Sequence, residues 1–322
     1  MHASGFDRTR PLLLAAMAVL ALAGFAIGHP DILSGANFDS MAVFGVEIGM
    51  IALGQTLVIS GGDSGIDLSV GAIAGLAQVV LGRLLHADVA WPLAVAVTLG
   101  AGLGLGAINA LAVTWLRIAP IIATLATLFG YAGLALVLSG GTNIDLTQQS
   151  SWFLALGQGH VLGLPFQLIV LYLPLLAMFA FLQHGTFYGR ALYLTGTNDR
   201  AAALAGLRVG RLRGAAYVLC GLTATIAGIV GAARLGTTRP DAGMNDNLIS
   251  IAIVVLGGTG IFGGTGSVVG TALATVVIAI VDYGLSYNDF NPIYQAGVIG
   301  VILIGVILVE NPVLARRARR LK

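Results

Sequence analysis

The chain contains one long polar interval, HGTFYGRALYLTGTNDRAAALAGLRVGRLR, at residues 184–213. The interval holds five arginines against a single acidic residue, Asp199. The sequence on either side of it is apolar enough to lie in lipid. Because loops rich in Lys and Arg stay on the cytoplasmic side of a membrane, this interval predicts the topology of the spans around it. It also predicts a surface that faces the cytoplasm.

Composition supports a membrane protein. The 322 residues are 57% hydrophobic and 9% charged, with a mean hydropathy of +0.94. A soluble domain carries about 25% charged residues, so this chain lacks the polar surface that water requires. The net charge of +2 is too small to indicate nucleic acid as a partner. The single cysteine, Cys220, lies in an apolar run and rules out a disulfide framework within the chain.

Hydropathy predicts an all-α polytopic membrane protein with about ten transmembrane helices. The third and eighth spans adjoin polar, Gly-rich segments, so we expect broken or re-entrant helices there. The first span exceeds the 7–15 residues of a signal-peptide core, so we expect it to be retained. The ten spans are predicted at about 11–28, 41–59, 68–85, 91–115, 120–139, 163–182, 214–233, 247–260, 266–287 and 293–310.

The distribution of basic residues predicts the orientation. With all ten spans crossing and both termini cytoplasmic, only Arg83, Arg234 and Arg239 of the 16 lysines and arginines lie outside. The segment 140–162 then forms an external lip. Within it, Trp152, Phe153 and Leu156 indicate an interfacial helix, with aromatic anchoring favoured over partner contact.

The spans divide into two groups of four with opposite orientation, plus two extra helices. This pattern predicts a single transmembrane domain, 1–322, with inverted repeats at about 41–139 and 214–310 joined through the loop 184–213. Each group carries an interruption after its first helix, SGGDSGIDLS at 60–69 and GTTRPDAGMNDN at 236–247. Paired interruptions of this kind indicate a transport pathway.

Glycines at four-residue spacing, such as Gly100/Gly104 and Gly102/Gly106, predict close helix packing. Ionisable side chains within predicted spans are functional candidates by default, here Glu47, Asp67 and Asp282. Neutral polar side chains indicate either a wet cavity for an uncharged, hydroxylated solute or hydrogen bonds between helices. The candidate pathway and gate residues are Gln55, Thr56, Asp67, Ser69, Asn109, Thr124, Gly257 and Gly258.

Catalytic and metal-binding patterns are missing from the sequence. No H-E-x-x-H or G-x-S-x-G motif is present, so we expect neither an enzyme nor a metal site. The segment GGTGIFGGTGS at 257–267 resembles a phosphate-binding loop but lacks the required lysine, and Lys322 is the only lysine in the chain. The chain is therefore predicted to bind no nucleotide cofactor of its own.

The polar interval contains the elements of a short capped helix. Asn198 is a favourable N-cap, Asp199 complements the helix dipole, and alanines follow. Gly206 can end the helix in the left-handed conformation. These residues predict a helix over about 199–205, lying along the membrane surface. The alternative is that the arginines only set the topology or bind anionic lipid.

Four separated motifs resemble the permease subunits of bacterial ABC importers for monosaccharides, the ribose/xylose/galactose-type branched permease group. The resemblance covers about residues 40–310. Its motifs are SGIDLSVGAIAGL at 64–76, NALAVTWLRIAPIIATLATLFGYAGLALVLSGG at 109–141, TGTNDRAAALAGLRVGRLRGAAYVLCGLTATIAGIVGAARLGTTRPDAG at 195–243 and VVLGGTGIFGGTGSVVGT at 254–271.

The resemblance implies alternating-access import of a monosaccharide across the bacterial inner membrane. It implies a second permease copy or paralogue, cytoplasmic ABC ATPase subunits that bind ATP and Mg²⁺, and a periplasmic solute-binding protein. Coupling to the ATPase is implied for Asn198, Asp199, Arg200, Ala201, Ala202, Leu204, Gly206, Arg208 and Arg211.

The alternatives are a same-family importer for a nucleoside, a signalling furanose or a branched-chain amino acid, and an ATP-independent channel or secondary carrier. One departure concerns the first interruption. The group typically reads SGGIDLSVG, whereas this chain reads SGGDSGIDLSVG, with three extra residues that include Asp63.

Overall fold

A computed structural model of the chain describes residues 9–291 and, beyond them, residues 297, 298, 300, 301 and 304. Within these residues the chain forms helices α1–α12 and four short strands, β1–β4. The helices are α1 Thr9–Gly28, α2 Gly35–Ser60, α3 Val70–His86, α4 Trp91–Thr114, α5 Pro120–Ser139, α6 Ser151–Gln158, α7 Leu173–Gly185, α8 Phe187–Thr197, α9 Asp199–Leu204, α10 Val209–Leu235, α11 Asp246–Leu256 and α12 Val268–Tyr287. The strands are β1 Ile144–Asp145, β2 His160–Val161, β3 Leu164–Pro165 and β4 Thr237–Thr238. A 3₁₀ turn, Pro30–Leu33, precedes α2, and a π-helical segment, Gln167–Tyr172, precedes α7.

The described residues include seven helical segments long and apolar enough to cross a membrane, which confirms the predicted all-α polytopic class. These segments contain α1, α2, α4, α5, α7 with its π-helical start, α10 and α12. The third and eighth predicted spans correspond to α3 and α11, which are shorter. The 11 residues of α11 rise only about 16 Å, roughly half of a hydrocarbon core. The predicted tenth span, 293–310, lies largely outside the described residues.

Helices α2 and α10 lie at the centre and run antiparallel. Their most apolar windows are 72% buried in protein, against 6% for α1. Three contacts fix their relative direction: Gly61 with Arg213, Gly54 with Cys220, and Glu47 with Arg234. We call the end that carries Gly61, α8 and α9 the α9 face, and the end that carries Arg234 and β4 the β4 face.

Each of the two short helices packs against the central helix from the other half of the chain. Helix α3 packs on α10, and α11 packs on α2. Helix α3 starts alongside the interior of α10, where Gly228 abuts Ala74, and runs toward the β4 face. Helix α11 starts beside α3 and runs toward the α9 face. The first turns of the two helices meet where the Gly71 amide donates to Asn247 Oδ1 at 2.7 Å.

The antiparallel central pair and the opposed short helices have the directions that an inverted repeat requires. The predicted limits of the repeats, 41–139 and 214–310, stay predictions. The last helix of the second predicted repeat lies largely outside the described residues.

The β4 face is closed by the segment between α5 and α7. Strand β1 pairs with β4 in antiparallel register, Ile144 opposite Thr238, and Gln158 of α6 donates to the Ala233 and Arg234 carbonyls at the end of α10. Hydrogen bonds from Thr147 hold the pKa of the exposed Asp145 carboxyl in β1 below its ordinary value.

The aromatic residues of α6 point in two directions. Trp152 is 77% exposed, as an interface aromatic would be, whereas Phe153 is fully buried and packs in the main core. Helix α6 forms where a lip helix was predicted, but the expectation that Phe153 lies at an interface is wrong. The Ser150 hydroxyl, which accepts from the Phe153 amide at 3.3 Å, caps the helix and sets its direction.

Only one of the two glycine pairs in α4 supports helix packing. A Cβ on Gly106 would lie 2.6 Å from the Tyr217 carbonyl oxygen and 2.9 Å from the Val218 Cα, both in α10. A Cβ on Gly100 or Gly104 would meet nothing within 4 Å. The pattern predicts close packing for both pairs, and the structure assigns it to the face that contains Gly106.

We expect Gly106→Ala to destabilise the protein and Gly104→Ala to leave its stability nearly unchanged. The added methyl group at Gly106 forces α4 away from α10 backbone, and overpacking of this kind costs about 1–3 kcal/mol. The midpoint of thermal unfolding in detergent measures both variants, which lie on the same helix two residues apart. Equal midpoints for the two variants would contradict the packing described here.

Candidate functional site

A buried carboxylate stands at the end of the first interruption. Asp67 Oδ1 accepts from the Ser69 amide at 2.9 Å and from the Ser69 hydroxyl at 2.7 Å. The Asn109 amide nitrogen of α4 lies 3.1 Å from Asp67 Oδ2 and donates to Ser69 Oγ at 2.7 Å. All three side chains are fully buried. The carboxylate thus organises the first turn of α3, whose dipole favours negative charge there.

The same network continues into α5. Asn109 Oδ1 accepts from the Thr127 hydroxyl at 2.7 Å. The Thr124 hydroxyl donates to the Ile66 carbonyl at 3.2 Å and to the Pro120 carbonyl at 2.9 Å. Four of the predicted pathway residues, Asp67, Ser69, Asn109 and Thr124, therefore form one hydrogen-bonded unit, the Asp67 network, together with Thr127.

The other four predicted pathway residues lie on the opposite side of the α2–α10 pair or between these helices. The Thr56 hydroxyl is 2.8 Å from the Thr271 hydroxyl of α12, and a Cβ on Gly257 would lie 2.5 Å from the Thr271 amide nitrogen. Gln55 is fully buried and accepts a 3.6 Å contact from the Cys220 thiol. Gly258, at φ +97°, lies directly against the Arg10 side chain. None of the eight residues lines either of the two cavities described below.

Helix α9 has the capped form that the sequence predicts. Asn198 Oδ1 accepts from the Ala201 amide at 3.0 Å, and Gly206 takes φ +82°. Of the predicted coupling residues, Ala202 is buried and fixes the helix to the protein. Leu204 is 91% exposed, an unusual position for an apolar side chain on a polar loop. The remaining predicted coupling residues, Asn198, Asp199, Arg200, Ala201, Gly206, Arg208 and Arg211, are all exposed.

The three extra residues of the first interruption build a left-handed turn that is tied to α9. Gly62, Asp63 and Ser64 have φ of +76°, +59° and +53°. Arg213 Nε donates to the Gly61 carbonyl at 2.9 Å, and its Nη1 lies 3.2 Å from Asp63 and 3.7 Å from Asp199. One guanidinium therefore joins the interruption, α9 and the start of α10.

This Arg213 bridge was not among the predicted site residues, although Arg213 belongs to the polar interval. The sequence contains a hint, because Asp63 is the one charge brought by the extra residues. A cavity of about 750 Å³ opens beside the bridge. Its lining includes Asp63, Arg117, Asp199, Arg200 and Arg213.

The two glycine-rich segments and α8 meet at the α9 face. The Gly264 amide donates to the Ser60 carbonyl at 3.1 Å, and the Tyr193 hydroxyl of α8 donates to the Gly266 carbonyl at 2.5 Å. Gly196 of α8 lies so close to Ser60 and Gly264 that a side chain there would overlap both. The end of α2, the loop 257–267 and the helix before α9 thus share one tightly packed junction.

The apolar helices of the bundle, two of them short and adjoining irregular segments, define a multi-pass all-α membrane protein. The family described as "Branched-chain amino acid transport system / permease component" matches residues 37–307. The chain belongs to this family.

Three relatives illustrate the similarity. The chain is 36% identical over 264 residues to the ribose import permease protein RbsC of Escherichia coli (strain K12), covering 81% of each chain. It is 37% identical over 263 residues to the ribose import permease protein RbsC of Bacillus subtilis (strain 168), covering 82% of this chain and 81% of that protein. It is 33% identical over 314 residues to the autoinducer 2 import system permease protein LsrD of Escherichia coli (strain SMS-3-5 / SECEC), covering 95% of this chain and 93% of that protein.

These matches confirm the predicted resemblance to permease subunits of sugar importers. The relatives are named as import permeases. No solved structure is significantly similar to the chain.

We expect Asn109→Leu to destabilise the protein by about 2–5 kcal/mol. The substitution removes the side-chain amide that donates to Oδ2 of the buried Asp67 carboxylate. The double variant Asp67→Asn/Asn109→Leu should be less destabilised than the sum of the two single variants, since a neutral amide tolerates the loss better. Denaturant unfolding of the four proteins gives the coupling energy. Additive effects would contradict the network.

We expect Arg213→Ala to cost about 1.5–3 kcal/mol, because a charged donor to the Gly61 carbonyl is lost. Asp63→Asn should cost less than about 1 kcal/mol, since Asp63 is largely exposed and asparagine also tolerates positive φ. Thermal unfolding of both variants measures the difference. A larger effect for Asp63→Asn would show that the turn, rather than the guanidinium, holds the junction.

Proposed function

We propose that this chain is the membrane-spanning permease subunit of an ATP-binding-cassette importer that moves a small hydroxylated solute, most simply a monosaccharide. The observation that carries the proposal is the 36–37% identity to two ribose import permeases over four fifths of the chain. The family match over residues 37–307 covers both interruptions, the polar interval, α10 and nearly all of α2.

The proposed partner at the α9 face is a cytoplasmic ATPase that binds ATP and Mg²⁺. Helix α9 supports this because it is exposed, capped and surrounded by arginines, with Leu204 presented to the solvent. An exposed apolar side chain with charged residues around it is typical of a surface that binds a groove on a protein. Binding to anionic lipid headgroups alone would need only the charges. We propose the predicted coupling residues, from Asn198 to Arg211, as the contact surface.

The junction at the α9 face supplies a route for alternating access. Displacement of α9 by the ATPase would move Arg213 and α8, and both contact the start of the first interruption. Because α8 also contacts the loop 257–267, the same motion reaches the turn that follows α11. The two broken helices would then shift together about the α2–α10 pair.

The proposed setting is the bacterial inner membrane, with the α9 face and both termini in the cytoplasm. A second copy or a paralogue would complete the permease, and a periplasmic solute-binding protein would dock on the β4 face. Membrane lipid surrounds the remaining apolar surface, which includes the exposed Leu and Ile side chains of α4 and α5.

A second candidate solute is an autoinducer, since the autoinducer 2 permease covers 95% of this chain. The two candidates differ in solute and not in mechanism. A thermal-shift screen of the partner binding protein against monosaccharides and autoinducer 2 distinguishes them.

We expect Arg200→Ala and Gly206→Val to reduce uptake and substrate-stimulated ATP hydrolysis together. The first removes an exposed charge from α9. The second forces a β-branched residue to positive φ, at about 1–2 kcal/mol, and displaces the end of the helix. The measurements are uptake in cells and ATPase activity of the reconstituted complex.

Gly206→Asn is the matched control, because asparagine adopts the left-handed conformation more readily and should retain activity. Arg83→Ala is a second control. It removes an arginine from the β4 end of α3, away from α9, and should leave co-purification with the ATPase intact. Normal coupling in Arg200→Ala and Gly206→Val, at normal expression, would refute the assignment of α9.

A further inference from the structure

A second cavity, of about 500 Å³, opens among α2, α3, α10, α11 and α12 toward the β4 face. Ligand pockets of about 300–1,000 Å³ accommodate small solutes. Its charged lining consists of Glu47, Arg234, Arg239, Asp241, Asp246 and Asp282. None of the eight predicted pathway and gate residues lines this cavity, but the second predicted interruption, 236–247, forms part of its wall.

An ion pair fixes one wall of the cavity. Arg234 Nε donates to Glu47 Oε1 at 2.5 Å, and its Nη2 donates to Glu47 Oε2 at 3.0 Å. The Phe44 ring lies 5.5 Å from the same guanidinium and is itself partly exposed. This wall therefore presents hydrogen-bonding groups from the ion pair next to the flat apolar face of an aromatic ring.

Two further carboxylates, Asp246 and Asp282, line the wall. Among the described residues, neither the Asp246 nor the Asp282 side chain has a hydrogen bond or salt bridge. Arg239 does not neutralise them, since it pairs with Asp241 at the rim, 3.2 Å away. The two pairs cancel in charge, and the cavity is left with the negative charge of Asp246 and Asp282.

A buried donor completes the lining. Gln78 is 4% exposed, and its Oε1 accepts from the Arg239 amide at 2.9 Å. That bond fixes the side-chain amide, and its nitrogen donates to no other described residue. A Cβ on Gly231 would lie 3.2 Å from Gln78 Nε2 and 3.3 Å from Glu47 Oε2, so the donor stands beside the ion pair.

We propose that this cavity is the binding chamber for the transported solute, and that it accepts uncharged polyhydroxyl compounds and rejects anions. Hydroxyl groups donate to the Asp246 and Asp282 carboxylates and accept from Gln78, while a ring face packs on Phe44. A phosphate or carboxylate on the solute meets two carboxylates that form no ion pair with the described residues, in a partly desolvated space where like charges repel strongly. The inference rests on the proposed permease function and adds the selectivity of the chain itself.

The test uses the full chain in lipid nanodiscs, with Met244→Cys as a reporter thiol on the cavity wall. Met244 lines the cavity and is 38% exposed, whereas the native Cys220 is fully buried. The probes are a cationic and an anionic methanethiosulfonate reagent. After correction for their rates with a free thiol, we expect the cationic reagent to react about tenfold faster or more.

Asp246→Asn and Asp282→Asn, each in the reporter background, should lower this preference severalfold, and the double variant should nearly abolish it. Asp88→Asn is the control, since Asp88 is an exposed carboxylate at the β4 end of α3 that does not line the cavity and whose φ of +56° asparagine tolerates. Two independent Asp variants keep the test usable if one of them misfolds.

Protection by solutes gives the second readout. At least one of D-ribose, D-xylose and D-galactose should slow the labelling, and D-ribose 5-phosphate at the same concentration should not. Equal rates for the two reagents, equal protection by the phosphate, or no protection by any of the three sugars would each overturn the proposal. Labelling needs no ATPase, so failure here with normal coupling of α9 overturns the chamber and leaves the permease function standing.

Discussion

The architecture depends on how the chain satisfies its backbone where helices break inside an apolar environment. An unpaired amide or carbonyl there costs several kcal/mol, so irregular backbone persists only inside protein with partners supplied. Asp67 provides partners at the first break, through Ser69 and Asn109. Asn247 of α11 provides a partner for α3, because its Oδ1 accepts a hydrogen bond from the Gly71 amide. The short helices α3 and α11 exist because these side chains hold their first turns.

Polar residues inside the bundle consequently perform two different tasks. Those of the Asp67 network hydrogen-bond to one another, and all but the partly buried Thr127 are fully buried, so they connect α3, α4 and α5 structurally. Those around Glu47 and Arg234 border a cavity and include two carboxylates that form no hydrogen bond or ion pair with the described residues. In a conformational change, the Asp67 network would move as a rigid unit, and the residues around Glu47 and Arg234 would change their exposure.

Much of the fold follows from the sequence, because membrane spans and capped helices depend on local patterns. The bounds of α9, the cap at Asn198 and the left-handed Gly206 were all predicted from residue type. The site was less predictable, since its contacts join residues far apart in the chain. Nothing local distinguishes Gly106 from Gly104, or shows that Arg213 reaches Asp63. The sequence identified Glu47 as a functional candidate because it is ionisable within a predicted span. Its partner Arg234 was predicted to lie outside the membrane. The two meet because α2 packs antiparallel beside α10. The functional roles of the site residues stay predictions.

The Glu47–Arg234 pair also has a consequence for biosynthesis. The two residues are 187 positions apart, so Glu47 emerges from the ribosome long before its partner exists. At about 5–20 residues per second, the interval is roughly 10–40 s. Helix α2 must therefore wait during translation with an uncompensated charge, which disfavours its release into lipid. The central helix α2 thus acquires the partner of its buried charge only after helices α3 to α9 have been synthesised.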